Sequence, residues 1–370
     1  MKNRIIFVVV GRLGKSLTTS KILPILASNE VSHIYVFREY AGNPLRNVTY
    51  ITSSMPMWIK PTLLSKILQR AFEPVQLLYY TFKLKPFLIN GYQLIPKGIN
   101  SFISAKLTRT ISMMSSIGGI PEIDTYFKFN WFWRNLNLYI LRNSDVVTTK
   151  GKTVTDYIVR FGVLRGKIHT YNGAIDTARF CPNESVTKDI DLLFVGGLCE
   201  VKGPDRFVRV AKGVCEQFPE LKCKMLGDGD LEQITRKMIE TLGLSHSISI
   251  EGYIEKPEGY LQRAKIILMP SRSEGLSTAM LEAMACGCVP VVSNVGCMNE
   301  AAIQAETALI VNNYLDIESY TASVLLLLRD SSMLASLSRK ASVFVRERYC
   351  IEAQARVFTK IITELEDRKR

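Results

Sequence analysis

The sequence predicts an α/β protein with two doubly wound lobes, each built around a parallel β-sheet. Its 370 residues are enough for two ordinary domains, and 47% hydrophobic with 22% charged residues is a globular balance. Short apolar runs alternate with amphipathic helical runs along the chain, which is the pattern of βαβ units. A turn-rich stretch at 171–176 separates two series of such runs, so we expect one sheet on each side of it.

Ten apolar runs have the length and composition of buried strands. Those in the first half are 5–10, 33–37, 86–90, 110–115 and 145–149. Those in the second half are 191–195, 222–226, 247–251, 266–269 and 289–293. The last stretch, 352–370, has apolar residues at helical spacing, so we expect a C-terminal helix with one buried face.

The two halves of the chain differ in charge. Residues 1–180 hold 24 Lys and Arg against 8 Asp and Glu, a net charge of +16. Residues 181–370 hold 23 against 26, a net charge of −3. A basic first half predicts an anionic partner, either a membrane surface or a phosphorylated acceptor. Nucleic acid ranks last, because the sequence has no zinc finger, RNA-recognition signature or Lys/Arg-rich run.

Several other classes of protein and site are disfavoured. No run of about eighteen apolar residues is present, and the six at Ile5–Val10 are too few for a signal peptide, so we expect a cytoplasmic protein without a spanning helix. The basic first half adds the expectation that this protein is peripheral on the inner face of the membrane. The eight cysteines have no zinc-site spacing and predict free thiols. The Asp-x-Asp pairs at 189–191 and 228–230 match a metal-site pattern that is common by chance, so we expect no metal.

The segment 270–287 carries the most chemical information. It follows a predicted strand, and Ser277 or Thr278 is placed to cap a helix that starts there. Gly275 lets the backbone approach a ligand closely, and a helix N-terminus attracts a diphosphate. Glu274 and Glu282, eight positions apart, can accept hydrogen bonds from sugar hydroxyls on either side of that diphosphate.

This segment resembles the E-x7-E signature of retaining glycosyltransferases of family 4, which have the GT-B fold. In that family the first glutamate contacts the donor sugar and the second contacts the nucleotide ribose. Further segments resemble the family's lobe junction and nucleotide-binding lobe: 143–147, 172–176, 194–198 with Lys202-Gly203, 226–230 and 250–254. The resemblance covers about 140–365 and is weak over 1–140.

The resemblance implies a two-lobed enzyme with its donor in an interlobe cleft. Residues 1–171 would form the acceptor-binding lobe, with the C-terminal helix of about 350–370 crossing back to it. Residues 172–349 would bind the nucleotide-sugar donor, a UDP- or GDP-sugar, and no cofactor is required. The acceptor would be a saccharide or a lipid-linked saccharide. The family's retaining chemistry uses a donor phosphate oxygen to take the acceptor proton, so we assign no catalytic base.

The resemblance also implies the site residues. Glu274 and Lys202 would be catalytic, with Lys202 close to the leaving diphosphate. The donor-binding set would comprise Gly11, Gly14, Gly197, Lys202, Tyr253, Ile254, Glu274, Gly275, Leu276, Ser277, Thr278 and Glu282. The loop at 11–16 ends like a P-loop, but Val9 stands where that motif needs its first glycine, so we interpret it as the glycine-rich loop after the first strand.

Two departures from the family pattern keep alternatives open. Gly197 stands where the family often has an arginine, and the region 113–119 has no histidine where many relatives have one. The alternatives are a non-catalytic partner subunit of the same fold, a sugar-nucleotide epimerase or a phosphorylase. The intact Glu274, Glu282 and Lys202 favour the transferase. No cluster of acids and histidines marks an epimerase, and no pyridoxal-phosphate motif marks a phosphorylase.

The stretch 58–72 is a candidate amphipathic helix, followed by aromatic and basic residues at 79–87. Such a segment is typical either of a helix at a membrane interface or of an ordinary helix packed on its sheet with a solvated basic face. For the helix itself the packed alternative is favoured slightly. For the whole lobe, the charge of +16 favours an anionic surface.

Overall fold

The computed structural model describes residues 4–10, 15–39, 42, 44–52, 63–116, 119–124 and 130–368. The chain divides into two compact units. Unit 1 comprises Met1–Ala174 together with Ile351–Arg370, and unit 2 comprises Ile175–Cys350. The first division lies three residues beyond the predicted boundary at 171, and the second lies between Cys350 and Ile351.

Unit 1 contains a seven-stranded parallel sheet in the order β3-β2-β1-β4-β5-β6-β7. Its strands are β1 Arg4–Val9, β2 Val31–Arg38, β3 Val48–Thr52, β4 Leu88–Tyr92, β5 Ile111–Ser115, β6 Val146–Thr149 and β7 Ile168–Thr170. Its helices are α1 Lys15–Leu26, α2 Leu63–Leu84, α3 Ile99–Thr108, α4 Ile120–Asp124, α5 Asn130–Asn143 and α6 Lys152–Arg160, with a π-helical turn at Leu94–Gly98 and a 3₁₀ turn at Arg165–Lys167.

Unit 2 contains a six-stranded parallel sheet in the order β10-β9-β8-β11-β12-β13. Its strands are β8 Ile190–Val195, β9 Cys223–Leu226, β10 Ile248–Gly252, β11 Ala264–Met269, β12 Val289–Ser293 and β13 Leu309–Val311. Its helices are α7 Pro204–Cys215, α8 Glu232–Thr241, α9 Glu258–Arg263, α10 Thr278–Ala285, α11 Ile317–Arg329 and α12 Ser331–Arg348, with a 3₁₀ turn at Met298–Glu300.

The last helix, α13 (Ile351–Asp367), belongs to unit 1 and packs against α1. Its Phe358 and Ile361 are fully buried in the same cluster as Ile22 of α1 and Ile6 of β1. Burying one such side chain contributes about 1.5–3 kcal/mol. The predicted return of the C-terminal helix to the first lobe is therefore confirmed by its packing.

Alternation along β1 gives the sheet of unit 1 two apolar faces. Ile6 and Val8 point to the face covered by α1 and α13. Phe7 and Val9 point to the other face, where they cluster with Leu77 of α2 and Ala105 of α3. A parallel sheet buried on both faces explains why its central strands read as continuous apolar runs.

The predicted fold class, two doubly wound lobes with parallel sheets, is confirmed. All ten predicted strands are present, and the described residues contain three more: β3, β7 and β13. Each of the three lies at one edge of its sheet, where a strand has one neighbour and is shorter or more exposed. Such strands lack the long apolar run that marks a central strand.

All eight cysteines lie in unit 2 and have free thiols, as predicted.

Among the residues that the structure describes, none of the helices is both long enough and apolar enough to cross a membrane.

Candidate functional site

The candidate site lies at one edge of the unit 2 sheet. Because its strands are parallel, the loops that leave their carboxyl ends meet at this edge, which is where ligands bind in open α/β sheets. The relevant loops are 196–203 after β8, 227–231 after β9, 253–257 after β10, 270–277 after β11 and 294–297 after β12. Every predicted donor-binding residue of unit 2 except Thr278 and Glu282 on α10 belongs to one of these loops.

The loop 270–277 connects β11 to α10 as the motif predicted. Ser277 has extended backbone angles and is the N-cap of α10, and its hydroxyl accepts a hydrogen bond from the Met280 amide at 3.4 Å. Leu276 is nearly buried, which anchors the loop. The first turn of α10, beginning at Thr278, therefore presents its N-terminus at the carboxyl edge of the sheet.

The structure brings the two predicted catalytic side chains into direct contact, although they are 72 positions apart. The ammonium Nζ of Lys202 donates to Oε1 of Glu274 at 2.6 Å. The Ser271 hydroxyl donates to the same oxygen at 2.9 Å. Glu274 is only 8% exposed, whereas Lys202 is 28% exposed. The carboxylate is thus held in one orientation while the ammonium can still reach an anion in solvent.

A buried arginine that the sequence analysis missed joins the two loops that carry this pair. Arg206 on α7 is 6% exposed; its Nε donates to the Pro270 carbonyl at 2.7 Å and its Nη2 donates to the Glu200 carbonyl at 3.0 Å. The backbone amide of Arg272 also donates to the Val201 carbonyl, at 2.8 Å. These bonds set the distance between Lys202 and Glu274.

Gly296 makes the closest backbone contact at the site. Its φ is +60°, and an added Cβ atom would lie 1.8 Å from the Glu274 carbonyl oxygen. The next residue, Cys297, donates its amide to the Gly275 carbonyl at 3.1 Å. The loop after β12 therefore packs directly against the backbone of the Glu274 loop. Only glycine fits at position 296, because any side chain there would clash with that backbone.

Gly197 lies in the loop after β8, where the family pattern often has an arginine. An added Cβ atom at Gly197 would meet only the Asp228 carbonyl oxygen, at an ordinary 3.6 Å. The neighbouring Gly196, by contrast, has a φ of +153°, and its carbonyl oxygen lies 2.0 Å from where a Cβ at Gly227 would be. Backbone packing therefore demands glycine at 227 but does not exclude a side chain at 197.

Glu282 occupies the second turn of α10 and is half-buried. Within the part of the chain that the structure describes, no group donates a hydrogen bond to its carboxylate. Burial raises the pKa of Glu282 to about 7; the positive charge of Arg179 opposes this rise and the negative charge of Glu258 reinforces it. Arg179 is itself bonded to Glu258 at 2.7 Å. The Glu282 carboxylate can therefore accept hydrogen bonds from a ligand.

The remaining predicted residues have mixed placements. Tyr253, after β10, is 72% exposed, and Ile254 beside it is half-buried. The amide of Gly227 donates to the Gly252 carbonyl at 2.7 Å, which ties the loops after β9 and β10 together. Gly11 and Gly14 lie outside the described residues.

The acids of the Asp-x-Asp pattern at 189–191 are engaged in ion pairs. Asp189 binds Arg263 at 2.6 Å, and Asp191 binds Lys265 at 2.7 Å. Both acids lie at the start of β8, at the opposite end of the strands from the Lys202–Glu274 pair. The described residues contain no group of three or more His, Cys, Asp or Glu side chains that could hold a metal ion.

Comparison with known proteins identifies a family resemblance in unit 2. Residues 178–343, somewhat less than half of the chain, match the family model of "Glycosyl transferases group 1". A D-inositol 3-phosphate glycosyltransferase of Paenarthrobacter aurescens is 30% identical over 129 residues, which are 33% of this chain and 32% of the relative. The chain spans about a third of the length of the curated relatives it matches first.

Solved structures resemble the chain over nearly its whole length. Sucrose-phosphate synthase from Thermosynechococcus elongatus has a TM-score of 0.79 at 16% identity, covering 99% of this chain and 100% of that one. HepE of Anabaena in complex with UDP has a TM-score of 0.77 at 14% identity, covering 98% and 100%. At this identity the likeness concerns the fold, and it identifies the two Rossmann-like lobes as those of the GT-B fold.

Proposed function

We propose that this chain is a metal-independent, retaining glycosyltransferase of family 4 that transfers a hexosyl group from a UDP- or GDP-sugar to a glycan or lipid-linked saccharide in cell-surface polysaccharide synthesis. The observation that carries the proposal is the Lys202–Glu274 pair at 2.6 Å, set beside the N-terminus of α10. The family match over 178–343 covers the same loops.

Each group has a distinct role in donor binding. The free amides at the start of α10 and the Lys202 ammonium would hold the diphosphate, since both present positive charge to an anion. Glu274 would accept hydrogen bonds from hydroxyls of the donor sugar, and Glu282 from those of the ribose. Tyr253 and Ile254 would lie near the base, partly through backbone contacts.

The chemistry we propose is the retaining reaction that the family resemblance implies. The bond between the anomeric carbon and the diphosphate oxygen breaks, and the bonding pair leaves with the nucleoside diphosphate. The acceptor hydroxyl oxygen attacks the same face of the sugar, and its proton passes to the departing phosphate oxygen. Lys202 stabilises the negative charge that grows on that leaving group. Neither a protein base nor a metal ion is required, and the ion-paired Asp189 and Asp191 support the metal-independent proposal.

We assign acceptor binding to the basic unit 1. Residues 1–180, nearly all of which belong to unit 1, carry a net charge of +16, which suits an acceptor that carries phosphate or lies at an anionic membrane surface. We therefore propose a cytoplasmic enzyme, peripheral on the inner face of the membrane, with a saccharide or lipid-linked saccharide as acceptor.

The donor is identified by ligand-induced stabilisation. The protein is mixed with UDP-glucose, GDP-mannose and the free nucleotides, and its unfolding temperature is measured. A true donor at 100 times its Kd adds about 2.7 kcal/mol to stability, so the matching base raises the temperature clearly more than the other. No response to any of them would contradict the proposal, while a response without turnover would support the non-catalytic alternative.

The affinity for the donor should depend on pH through Glu282. Hydroxyl donors favour the ionised carboxylate, whose pKa of about 7 in the free protein is raised above 4.5. The apparent Kd for a UDP-sugar should therefore fall by about 10-fold between pH 6 and pH 8, because the ionised fraction rises by that factor. A UDP-sugar is used because its diphosphate has no ionisation in this range.

Glu282→Gln is the matched variant for this experiment. It cannot ionise, so its Kd should be higher at pH 8 and nearly independent of pH. The free variant should also be more stable than the wild type at pH 8, since an acid with a raised pKa destabilises the fold progressively from about pH 4.5 to about pH 7. An equal pH dependence in both proteins would remove Glu282 from the donor site.

A further inference from the structure

The outer surface of three helices in unit 1 exposes large apolar side chains. They are Phe72, Val75, Tyr79 and Phe82 on α2, Ile103 and Leu107 on α3, and Trp131, Phe132 and Tyr139 on α5. We call these nine residues, with Lys83, Lys106 and Arg142 on the same helices, the apolar–basic face. Contiguous exposed apolar surface on a folded protein marks an interaction site.

The three helices cover the same side of the sheet. Leu77 of α2 and Ala105 of α3 belong to one buried cluster with Phe7 of β1. The ring of Phe102 on α3 packs edge-on against that of Tyr139 on α5, with centroids 6.3 Å apart. The helices α1 and α13 pack on the opposite side. The apolar–basic face is therefore one continuous surface of unit 1.

Spacing along α2 explains why its apolar residues are exposed together. Phe72, Val75, Tyr79 and Phe82 recur every three or four positions and so form a single stripe along the helix. Leu77 and Thr81 lie on the other side and are buried against the body of the unit. Phe82 is 71% exposed, and Trp131 on α5 is 72% exposed. The helix thus has two apolar sides, and packing within unit 1 uses only one of them.

The charged side chains on this surface are positive. The sequences of α2, α3 and α5 contain six Lys and Arg and a single acid, Glu73. Glu73 is 6% exposed and forms a buried ion pair with Lys97. The ammonium of Lys83 lies 5.7 Å from the Tyr79 ring centroid, and that of Lys106 lies 5.5 Å from the Phe102 ring centroid. Aromatic rings with cations beside them suit a boundary that is apolar on one side and anionic on the other.

We propose that the apolar–basic face docks on an anionic lipid bilayer, with its aromatic rings at headgroup level and its lysines and arginine against the lipid phosphates. A protein partner fits less well, since interfaces between proteins are depleted in lysine. The inference rests on the proposed membrane association and is independent of the transferase chemistry.

Vesicle binding by the full chain tests the charges. The protein is sedimented with vesicles of phosphatidylcholine alone or mixed with phosphatidylglycerol, at low and high salt. The wild type should bind the anionic vesicles only and should be released by salt. Lys83→Glu with Lys106→Glu should weaken that binding at least about 10-fold, because each lysine near the surface contributes substantially to attraction.

The matched control makes the same change in net charge on the opposite side of the sheet. Arg356→Glu with Lys360→Glu alters two exposed residues of α13 and should change the affinity by no more than about 3-fold, since α13 lies beyond a Debye length from the docked face. Equal weakening by the two double variants would overturn the proposal, because net charge rather than this face would then explain the binding.

Substitution of the rings tests the apolar part. Phe82→Ser with Trp131→Ser should reduce binding and make the remainder more sensitive to salt, whereas Ile234→Ser, at a residue 64% exposed on α8 of unit 2, should have no effect. Wild-type protein that binds neither vesicle, or ring and charge variants that bind like wild type, would refute the docking face.

The same variants separate this proposal from the proposed function. Face variants that lose vesicle binding but are still stabilised by the nucleotide sugar support docking and leave the donor site intact. Wild-type protein that binds anionic vesicles without any response to nucleotide sugars would support the face and contradict the transferase.

Discussion

Replacement of Lys202 by alanine is expected to lower kcat by about 10²–10³-fold with a folded protein, which is the usual effect of removing one group that stabilises charge in a transition state. Lys202 is 28% exposed and uses one of its three N–H donors on Glu274 at 2.6 Å, so its ammonium has further donors for a diphosphate. Because charge on the leaving group grows during the reaction, kcat should fall more than KM rises. Steady-state kinetics with the donor identified by thermal shift measures both.

Replacement of Glu274 by alanine should lower turnover to a similar extent for another reason. Its carboxylate is oriented by Lys202 and Ser271, and we propose that it positions the donor sugar. A misplaced sugar costs about 10²-fold even when the reacting groups remain intact. Thermal unfolding of each variant checks that it folds, since the ion pair is lost in both.

An ion pair elsewhere in unit 2 supplies the control for these two variants. Arg263 and Asp189 are bonded at 2.6 Å and are 43% and 42% exposed, at the opposite end of the sheet. Arg263→Ala should leave kcat unchanged and should reduce stability by no more than about 1 kcal/mol. Wild-type turnover in Lys202→Ala or Glu274→Ala would contradict the assignment of the site.

Gly296→Ala is expected to damage both the stability of unit 2 and turnover. Its Cβ atom would lie 1.8 Å from the Glu274 carbonyl oxygen, so the Glu274 loop must move. A left-handed backbone costs a non-glycine residue about 1–2 kcal/mol, and the clash adds about 1–3 kcal/mol. We expect a lower unfolding temperature and a kcat reduced by about 10²-fold, because the displaced carboxylate no longer meets the donor sugar.

Gly243→Ala separates backbone strain from the clash. Gly243 has a φ of +67°, close to the +60° of Gly296, but an added Cβ atom there has nothing within 4 Å. This variant should lose only about 1–2 kcal/mol of stability and should retain full turnover. If both variants behaved alike in stability and turnover, the contact between Gly296 and the Glu274 loop would have no role in the site.

Local sequence patterns were sufficient for the central strands and for the start of α10. The runs 266–269 and 289–293 are apolar because both faces of their sheet are covered. Their amino-acid composition alone therefore predicts that they are buried strands. The edge strands β7 and β13 were missed because each has only three residues, and β3 was missed because its open side permits mixed polar and apolar residues.

The candidate site was predicted in part. Glu274 and Glu282 lie on one continuous segment, whose strand–loop–helix pattern can be recognised locally. Arg206 was missed because a buried arginine that donates to two carbonyl groups has no sequence signature. Ser271 was missed because its hydroxyl matters only once Glu274 is beside it.

The sequence by itself determined the two-lobed α/β architecture, the basic first half and the pair of acids around a helix start, because each depends on composition or on residues close together in the chain. Only the tertiary structure decided that Lys202 bonds to Glu274, that Gly296 supports the Glu274 loop, and that one apolar side of α2 stays exposed. These contacts depend on strand order and on the packing of whole helices, which bring distant segments together and are not encoded in any short stretch of sequence.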